Sequence, residues 1–520
     1  MEKHIYRENY STEQMTLPLD LGILIEPNDP VVTFSEVVKG MELQKYFVPV
    51  KRQGRTGYNP EMLLKVILFA QMENIRSLRG IEKACKTDIR FMWLAHEEKP
   101  THTTIANFIN QELKGNIETV FRDINEILVK KAKIDLETSY IDGTKIEANA
   151  NKYKWVWLKS SLKLREKLYL KITKELKEIN ESGLVFEGKS FAVRENYSED
   201  DILNVLRWLV KEMKRLEIKR VYGKGQRKTE LQRFFDHFEE HQKKIHQYNE
   251  DIEICGENRN SYAKTDHDAT FMRMKEDYMK NGQLKPGYNL QLAVSSGFIT
   301  CVGTYQNRDD QGTFSTMTDK LYHHYGMYPK NIVADAGYGS IENYLDCKDK
   351  DMRAFVKYGM YAKEKEKKYR TNPYRVENMR QPDGSYVCPQ GKSFILTGRK
   401  KHTGRNITWY TDQYACENCE NCPVKKACTK AKGNREIEVN ELGRNLYLEA
   451  KTLLDSEEGI EKRIQRSIQV EGAFGVIKQD FGYRRLTRRT VENVNLEFHL
   501  IAIGYNLIKY HHLVTSIVSS

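Results

Sequence analysis

The stretch SYIDGTKIEA, residues 139–148, decides how the rest of the sequence is interpreted. It is rich in strand-forming residues and therefore predicts a β-strand. Asp142 is unusual there, because a carboxylate inside a strand needs a compensating metal ion or hydrogen-bond donor. The alternative is a tight hairpin turn at Asp142-Gly143, a common role of that dipeptide. This stretch alone leaves both interpretations open.

Later segments predict further strands of the same sheet. They cover residues 288–294, 298–305, 331–335 and 353–358, and the first two flank the hairpin signal Ser295-Ser-Gly297. Asp335 ends one of these strands, and Gly337 then lets the backbone turn toward a helix that Ser340 can cap. A carboxylate at the carboxyl end of a strand points into the crevice where open sheets bind ligands. An Asp in an ordinary strand–helix loop is the alternative.

A third acidic residue, Glu471, lies in a predicted helix of about residues 457–481. The apolar stripe of this helix repeats every three or four residues through Val470, Phe474, Ile477 and Phe481. Glu471 lies at the border of the stripe, and Lys478 lies almost directly above it. An edge of exposed Glu and Lys side chains is the alternative to a functional site.

These three acidic residues, taken in order, resemble the catalytic acids of the DDE transposases of bacterial insertion sequences. The matching stretches are YIDGTKIEAN around Asp142, VADAGYGS around Asp335 and VEGAFGVIK around Glu471. The resemblance covers nearly the whole chain. It implies a multidomain α/β protein in which an RNase H-like mixed sheet is flanked by helices.

The resemblance also implies the chemistry of the site. Cutting a phosphodiester needs an activated water and stabilised charge, which two hard cations about 3.5 to 4 Å apart can provide. Oxygen ligands select Mg²⁺ or Mn²⁺, so Asp142, Asp335 and Glu471 are expected to hold two such ions per active site. The same site would cleave the ends of the element and direct the freed 3′ hydroxyl at target DNA.

Basic residues near the acids are expected to contact DNA phosphates. One branch of the family has a Tyr and an Arg upstream of the Glu, where this sequence has Ile464 and Ser467, with Arg463 and Arg466 next to them. The Tyr is therefore missing. The candidates for phosphate contact are Lys145, Arg466, Lys478 and, by stacking or hydrogen bonding, Tyr338.

The run YRRLTRR, residues 483–489, packs four arginines into seven residues. It is expected to follow the DNA backbone and to make binding salt-sensitive, with a solvated charge run as the alternative. Its arginines are Arg484, Arg485, Arg488 and Arg489.

The N-terminal region is helical in pattern from Tyr58 to about Lys130, with capped helix starts at Ser77 and near Pro100. Short helices ending in a Thr-rich one are typical of a helix-turn-helix reader, which meets DNA with the first residues of its recognition helix. Those residues are Thr101, Thr103 and Thr104. An ordinary helical bundle is the alternative.

Five cysteines lie in a 41-residue window, residues 388–428. Tetrahedral zinc needs four ligands, and these cysteines offer five thiols. The preferred ligands are Cys388, Cys419, Cys422 and Cys428, with Cys416 as a possible substitute. Such a closed site leaves no position for catalysis, so the zinc is expected to be structural or to support DNA contact. An iron–sulfur cluster and unligated thiols are the alternatives.

The sequence thus predicts four regions. Residues 1–135 form an N-terminal helical DNA-binding domain, and residues 136–370 form the first part of the catalytic core, with a helical insertion at 152–262. Residues 371–435 form the zinc-binding insertion. Residues 436–520 complete the core and carry the Glu helix.

Length, charge and hydrophobic composition limit the classes of function that the chain can have. The chain has 520 residues, with 84 Lys and Arg against 72 Asp and Glu, so its net charge is +12 and its pI is near 8.9. This balance favours a polyanionic partner, here double-stranded DNA. No apolar run approaches the ~18 residues of a membrane helix, and the opening MEKHIYRENY lacks a signal-peptide core. We expect a cytoplasmic, nucleoid-associated protein without membrane contact.

The resulting hypothesis is a Mg²⁺-dependent DNA transposase that recognises the terminal inverted repeats of its own element. Because two ends must be held together, we expect a homo-oligomer, with a dimer as the first expectation. One alternative is a nuclease that cleaves DNA without joining it. Another is an inactive or domesticated zinc-dependent DNA-binding protein.

Overall fold

The computed structural model of the protein describes residues 25–47, 57–184, 190–223, 225–257, 259–274, 282–404 and 407–519. The opening MEKHIYRENY, where we predict no signal peptide, lies outside these residues, as does part of the predicted N-terminal domain. Within the described ranges, no helix is both long and apolar enough to cross a bilayer.

A six-stranded mixed sheet forms the centre of the protein. The strands of the chain are β1 (Thr138–Glu147), β2 (Trp155–Trp157), β3 (Ser261–Ala263), β4 (Thr270–Arg273), β5 (Leu284–Ser295), β6 (Phe298–Tyr305), β7 (Asn331–Gly339), β8 (Arg353–Tyr358), β9 (Phe394–Thr403), β10 (Thr408–Cys416) and β11 (Glu436–Val439). The order across the central sheet is β4, β5, β1, β7, β8, and β6 also pairs with β5. β7 is parallel to both β1 and β8, whereas β5 is antiparallel to β1.

Helices cover both faces of this sheet. The α-helices of the described residues are α1 (Pro30–Val38), α2 (Pro60–Met72), α3 (Leu78–Thr87), α4 (Ile89–Leu94), α5 (His102–Phe108), α6 (Ile117–Lys131), α7 (Leu158–Glu181), α8 (Glu199–Arg215), α9 (Glu230–Cys255), α10 (Phe314–Tyr325), α11 (Ile341–Asp349), α12 (Lys367–Arg370), α13 (Val376–Met379), α14 (Lys425–Cys428), α15 (Glu441–Asp455), α16 (Glu457–Arg466), α17 (Gly472–Gly475) and α18 (Val491–Ser519). The mixed sheet flanked by helices agrees with the predicted fold class and is consistent with an RNase H-like fold.

Alternation along β7 shows which layer lies on which face. Val333 packs into a core shared with α1 to α6, α18 and the helix that carries Glu471. Its neighbours Ile332 and Ala334 pack into a second core with α10, α11 and α15. Successive side chains of a strand point to opposite faces, so the sheet separates the two cores.

The predicted hairpin between β5 and β6 has a local cause. Ser295 pairs with Phe298, which leaves Ser296 and Gly297 as a two-residue turn. Both have positive φ, 50° and 81°, the combination that a type I′ turn requires. The turn thus matches the twist of the two strands and fixes their register.

Two peripheral regions have their own cores. Between β2 and β3, helices α7, α8 and α9 pack around buried residues such as Ile172 and Phe238. Between β8 and α15, strands β9 to β11 form a separate three-stranded sheet whose small core includes Cys416 and Cys419. Neither region supplies a strand to the central sheet.

Candidate active site

Strand register brings two of the predicted acids together. Tyr140 on β1 is level with Val333 on the parallel strand β7. Asp142 and Asp335 each lie two residues further along, so both reach the same face, on neighbouring strands about 4.8 Å apart. A hairpin turn at Asp142 is excluded, because this residue pairs with Leu292 in the interior of β1.

Glu471 reaches this face on a helix that contains two π turns. After α16, the helix continues through a π turn (Ser467–Glu471), α17 and a second π turn (Val476–Asp480). Val470, Phe474 and Ile477 are buried in the core on this face, as the predicted apolar stripe requires. π turns are rare and are frequently found at functional sites.

Arg466 lies between two of the acids. Its Nη1 donates to Asp142 Oδ2 at 3.1 Å, and its Nη2 donates to Glu471 Oε1 at 3.0 Å. Only 11% of the Arg466 side chain is exposed, against 57% of the Glu471 side chain. One guanidinium group therefore joins residues that are more than 300 positions apart in the sequence.

The π turn explains why this arginine stands one position away from the family pattern. A π turn closes hydrogen bonds over five residues, whereas an α turn closes them over four. In the π turn, the residue five positions before Glu471 therefore lies on the same side of the helix as Glu471. In a regular α-helix, the residue four positions before Glu471 would lie there. Arg466 holds that position, and Ser467 adds a hydroxyl 3.3 Å from Glu471 Oε1.

Two further charged residues lie near this site and were missed by sequence reasoning. The pKa of Lys357 on β8 is lowered by burial and by Arg466 and Arg463, while Asp335 and Glu471 act in the opposite direction. The available signal was its position directly after an apolar run on a strand, like that of Asp335 on the neighbouring strand.

The other missed residue is Asp310, which precedes α10. Its Oδ1 accepts hydrogen bonds from Asn289 Nδ2 at 2.8 Å and Gln291 Nε2 at 2.9 Å. The sequence around it, NRDDQG, is typical of a polar loop, so its nearness to the acids depends on tertiary structure alone.

Tyr338, which the sequence predicts to contact DNA, lies inside the protein. The ring is fully buried, and its hydroxyl donates to Gln291. Burial raises its pKa well above the usual range, and the carboxylates of Asp310, Asp142 and Asp335 raise it further. The ring therefore has no exposed surface for stacking on DNA, and its hydroxyl is part of the buried polar network around Gln291.

The structure places the two predicted lysines, Lys145 and Lys478, differently. Lys145 is half-buried and follows Asp142 by three residues, so it lies on the opposite face of β1. The structure therefore does not bring Lys145 onto the face of the acids. Lys478 is half-buried on the second π turn, seven residues after Glu471.

The arginine run is anchored to the core rather than solvated along its whole length. Arg485 donates to the carbonyl oxygens of Ala148 and Ala150, both at 3.3 Å, and Arg489 donates to that of Asn149 at 2.8 Å. Arg484 is exposed. These contacts hold the run beside the end of β1, the strand that carries Asp142.

One contact connects this run to the N-terminal helices. Arg488 Nη1 donates to Asn110 Oδ1 at 3.0 Å, just beyond the end of α5. Thr101 caps α5 by accepting from Thr104 N at 3.3 Å, as predicted, and Thr103 is exposed. The basic run therefore contacts the residue segment that follows α5, the helix that begins with the Thr-rich stretch.

The five clustered cysteines line one small cavity of about 20 Å³. Arg435 donates through its guanidinium to Cys428 Sγ at 2.9 Å and through its backbone N–H to Cys419 Sγ at 3.3 Å. Burial raises the pKa of the Cys416 thiol to about 12, with further contributions from Cys419 and Cys388.

Neither predicted metal site is preformed. Among the residues that the structure describes, no three His, Cys, Asp or Glu side chains are gathered closely enough to hold a metal ion. At the acids, Arg466 occupies the space between two of the three carboxylates. At the cysteines, the thiols surround the cavity without converging on one point.

Comparison with known proteins finds one matching family model toward each end of the chain. A model of a transposase DDE domain matches residues 387–511, and a model of a transposase domain (DUF772) matches residues 19–111. Both families are transposases. The resemblance to DDE transposases of insertion sequences is thereby confirmed. No curated protein and no solved structure matches the chain.

The two transposase matches cover different parts of the predicted machinery. The DDE domain match includes Glu471, the arginine run and all five clustered cysteines. The N-terminal match includes the Thr-rich helix start at Thr101. A DDE transposase domain implies activity in DNA strand cleavage or transposition, and such enzymes act with divalent metal ions. Asp142 and Asp335 lie outside both matches, so their place in the site depends on the geometry.

Proposed function

We propose that the protein is a DNA transposase that binds the terminal inverted repeats of its insertion sequence, cleaves the ends and joins the 3′ hydroxyls to target DNA. The observation that carries this proposal is the convergence of Asp142, Asp335 and Glu471 on one face of the sheet. Three separate segments supply these acids, and the site lies beside a basic run. The protein would act as a homo-oligomer, with a dimer as the preferred state, in the cytoplasm at the nucleoid.

The donor set fits Mg²⁺ or Mn²⁺. It consists of carboxylate oxygens, which these hard cations prefer. The position of the Arg466 guanidinium between Asp142 and Glu471 supports this, because it is a place where the two carboxylates favour a positive charge. Two ions held by the three acids would activate water and stabilise the leaving oxygen of the scissile phosphate.

The remaining residues would position the DNA. Arg466 and Lys357 lie beside the acids and would bind the phosphate that flanks the scissile bond. Lys478, Arg484 and the exposed parts of Arg485 and Arg489 would follow the backbone beyond it. Arg488 contacts Asn110 and would bring the Thr-rich helix start, with Thr101, Thr103 and Thr104, toward the same duplex.

An assay with element-end DNA tests this function. The purified protein and Mg²⁺ are expected to yield nicked ends and strand-transfer products on a target plasmid. Asp142→Ala should abolish both products, while Asp309→Asn, which removes an exposed carboxylate outside the triad, should retain both. Cleavage without joined product would indicate the nuclease alternative. Cleavage that survives Asp142→Ala would refute the proposed active site.

We also propose that the cysteine cavity holds one structural Zn²⁺, bound by Cys388, Cys419, Cys422 and Cys428. The N–H donors from Arg435 to Cys428 and Cys419 support this, because hydrogen bonds of this kind stabilise ligated thiolates. A further donor, Lys392 N, lies 3.4 Å from Cys388 Sγ. The separate small core of β9 to β11 is also the type of module that zinc stabilises.

Elemental analysis of the purified protein tests the zinc proposal. One equivalent of zinc per chain is expected, and Cys422→Ser should lose it. Cys255→Ser, a buried cysteine of α9, is the matched control and should retain it. Iron in place of zinc would indicate the iron–sulfur alternative, and no bound metal would contradict the proposal.

A further inference from the structure

The helical insertion forms an arm with its own core. Helices α7, α8 and α9 make up this arm, and the paired strands β2 and β3 are its root, because β2 precedes α7 and β3 follows α9. Near the root, Ser161 Oγ donates to Asp251 Oδ2 at 3.2 Å. At the other end, Val221 binds Gln232 in the first turn of α9. Because α9 has 26 residues, the arm is about 39 Å long.

The distal end of this arm, residues 211–228, is strongly basic. The sequence has eight Lys and Arg residues there and only two acidic residues. Most of the basic side chains that the structure describes are exposed, namely Lys211, Lys214, Arg215, Lys219, Arg220 and Arg227. The other end of α8 is acidic instead, since that helix begins with Glu199, Asp200 and Asp201. Positive charge is therefore concentrated at the end far from the sheet.

Helix capping explains only part of this cluster. Lys214 and Arg215 lie in the last turn of α8, where basic side chains stabilise the negative end of the helix dipole. Arg215 also pairs with the buried Glu212 at 2.7 Å. Lys219 and Arg227 lie beyond the helix end, and neither side chain has an ion pair or hydrogen bond within the described ranges. Their charge is therefore open to a partner.

The loop that carries these charges is held to the arm at two points. The side chain of Gln232, which is fully buried, accepts from Val221 N at 3.1 Å and donates to Val221 O at 2.7 Å. The Arg220 guanidinium lies 3.7 Å from the ring centroid of Phe235. Beside these contacts, 71% of Tyr222 is exposed. The loop thus presents basic side chains together with a hydroxyl that can donate to a phosphate.

The root of the arm lies beside the arginine run. Ala150, whose carbonyl oxygen accepts from Arg485, comes shortly before β2 in the chain. Trp155 and Trp157 of β2 pack against Phe271 on β4, with ring centroids 5.6 Å and 6.2 Å apart. DNA that follows the arginine run would pass this root. The length of the arm is close to one helical turn of DNA, about 34–36 Å, so the distal end can reach phosphates beyond that segment.

We propose that the distal end of the arm is a second DNA-backbone surface, which contacts phosphates outside the segment bound at the catalytic face. This inference rests on the proposed transposase function, because it presumes duplex DNA along the arginine run. Duplex DNA is the polyanion that the position of the root favours. Contacts to phosphates carry no sequence information, so this surface would add affinity and orient the duplex without reading the terminal repeats.

Salt-dependent binding of the full-length protein to a labelled duplex of about 40 base pairs, roughly four helical turns, tests the proposal by fluorescence anisotropy. The logarithm of the affinity falls linearly with the logarithm of the salt concentration, and the slope grows with the number of phosphate contacts. The distal variant combines Lys214→Gln, Lys219→Gln and Arg227→Gln. Its slope should be less steep by about 2 to 3, because each lost phosphate contact changes the slope by about 1.

Two control variants separate a phosphate-binding surface from a general loss of charge. The mid-arm control replaces with Gln three lysines that each pair with a Glu one turn away on the same helix, namely Lys174, Lys243 and Lys244. The charge-conserving control combines Lys214→Arg, Lys219→Arg and Arg227→Lys. Both controls should keep the wild-type slope. If the distal variant fails to fold, the single change Lys219→Gln takes its place, with an expected change in slope of about 1.

Each outcome either supports the proposal or overturns it. A wild-type slope in the distal variant, or an equal change in the mid-arm control, would overturn it. Weaker binding of the distal variant to an RNA duplex of the same length, with unchanged binding to DNA, would overturn it in favour of RNA.

Arg484→Gln in the arginine run separates this failure from that of the proposed function. A change of slope in Arg484→Gln alone would leave the transposase proposal standing without a role for the arm. An unchanged slope in both Arg484→Gln and the distal variant would contradict DNA binding at both surfaces.

Discussion

The catalytic face and the cysteine-rich region show opposite relations between sequence spacing and structure. Asp142, Asp335 and Glu471 are separated by more than 100 residues each, yet strand register and one helix bring them to one place. The cysteines are crowded within 41 residues, yet their thiols surround a cavity without converging. Topology brings distant residues of the first site to one face of the sheet, whereas the chain itself crowds those of the second, and among the described residues neither set is already gathered around an ion.

The largest expected effect is a loss of DNA cleavage in a variant of Asp335, the acid that strand register alone brings to the site. Asp335→Asn should lower the rate of DNA-end cleavage at least ~10³-fold, a loss of about 4 kcal/mol of transition-state stabilisation, because Asn cannot supply the charge that the cations require. Single-turnover cleavage of labelled end DNA measures this.

Asp349→Asn provides the control for Asp335→Asn, since it removes a carboxylate at the far end of α11. The control should cleave at the wild-type rate. Cleavage by Asp335→Asn within tenfold of wild type would mean that register alone does not define the site.

The next effect concerns Arg466, which holds two acids together without metal. Arg466→Gln leaves the buried Asp142 without the guanidinium that pairs with it, and breaking a pair whose two partners are both buried costs about 3–5 kcal/mol. The metal-free melting temperature should fall, and Mn²⁺ should restore more of it than in the wild type. Differential scanning fluorimetry in EDTA and in Mn²⁺ measures both.

Arg463→Gln is the matched control, because Arg463 donates to the carbonyl oxygen of Gly459 and stacks on Tyr361 instead of pairing with an acid. It should show no extra response to Mn²⁺. An equal response in both variants would show that Arg466 does not act as the cation between the acids.

A smaller effect, on the stability of the protein, is expected from a change at Gly143, which is tightly packed and follows Asp142 in the sequence. A Cβ there would lie 2.0 Å from Gln291 Nε2, so Gly143→Ala must displace the buried amide, at a cost of about 1–3 kcal/mol in unfolding free energy. Chemical denaturation measures it. Gly472→Ala is the control, since nothing lies within 4 Å of its added Cβ. Equal stability of the two variants would contradict the tight packing between β1 and β5.

The sequence was sufficient to predict features that depend on local pattern. The strand at residues 139–148, the β5–β6 hairpin and the helix caps at Ser77 and Thr101 follow from strand propensity, turn residues and capping side chains. The resemblance added the order of the three acids. These features need only a few neighbouring residues to be recognised.

Other features depend on tertiary contacts and could not be predicted. Asp310 lies in an ordinary polar loop, and only the hydrogen bonds from the β5 amides fix its position. Tyr338 follows an acid in sequence, but β7 alternation turns its ring into the core. The π turn that places Arg466 beside Glu471 has no recognised sequence signal here. Burial and register, rather than residue type, decide these roles.

The smallest expected effect concerns the zinc content of the cysteine-rich region. Cys416 is the spare thiol of the proposed ligand set, and it is buried in the small core of β9 to β11. Cys416→Ser should therefore keep one zinc per chain, whereas Cys422→Ser loses it. Elemental analysis after gel filtration measures both. Loss of zinc from Cys416→Ser with retention in Cys422→Ser would exchange the two residues in the ligand set, and the structure would then have to bring a buried sulfur, not a half-exposed one, to the metal.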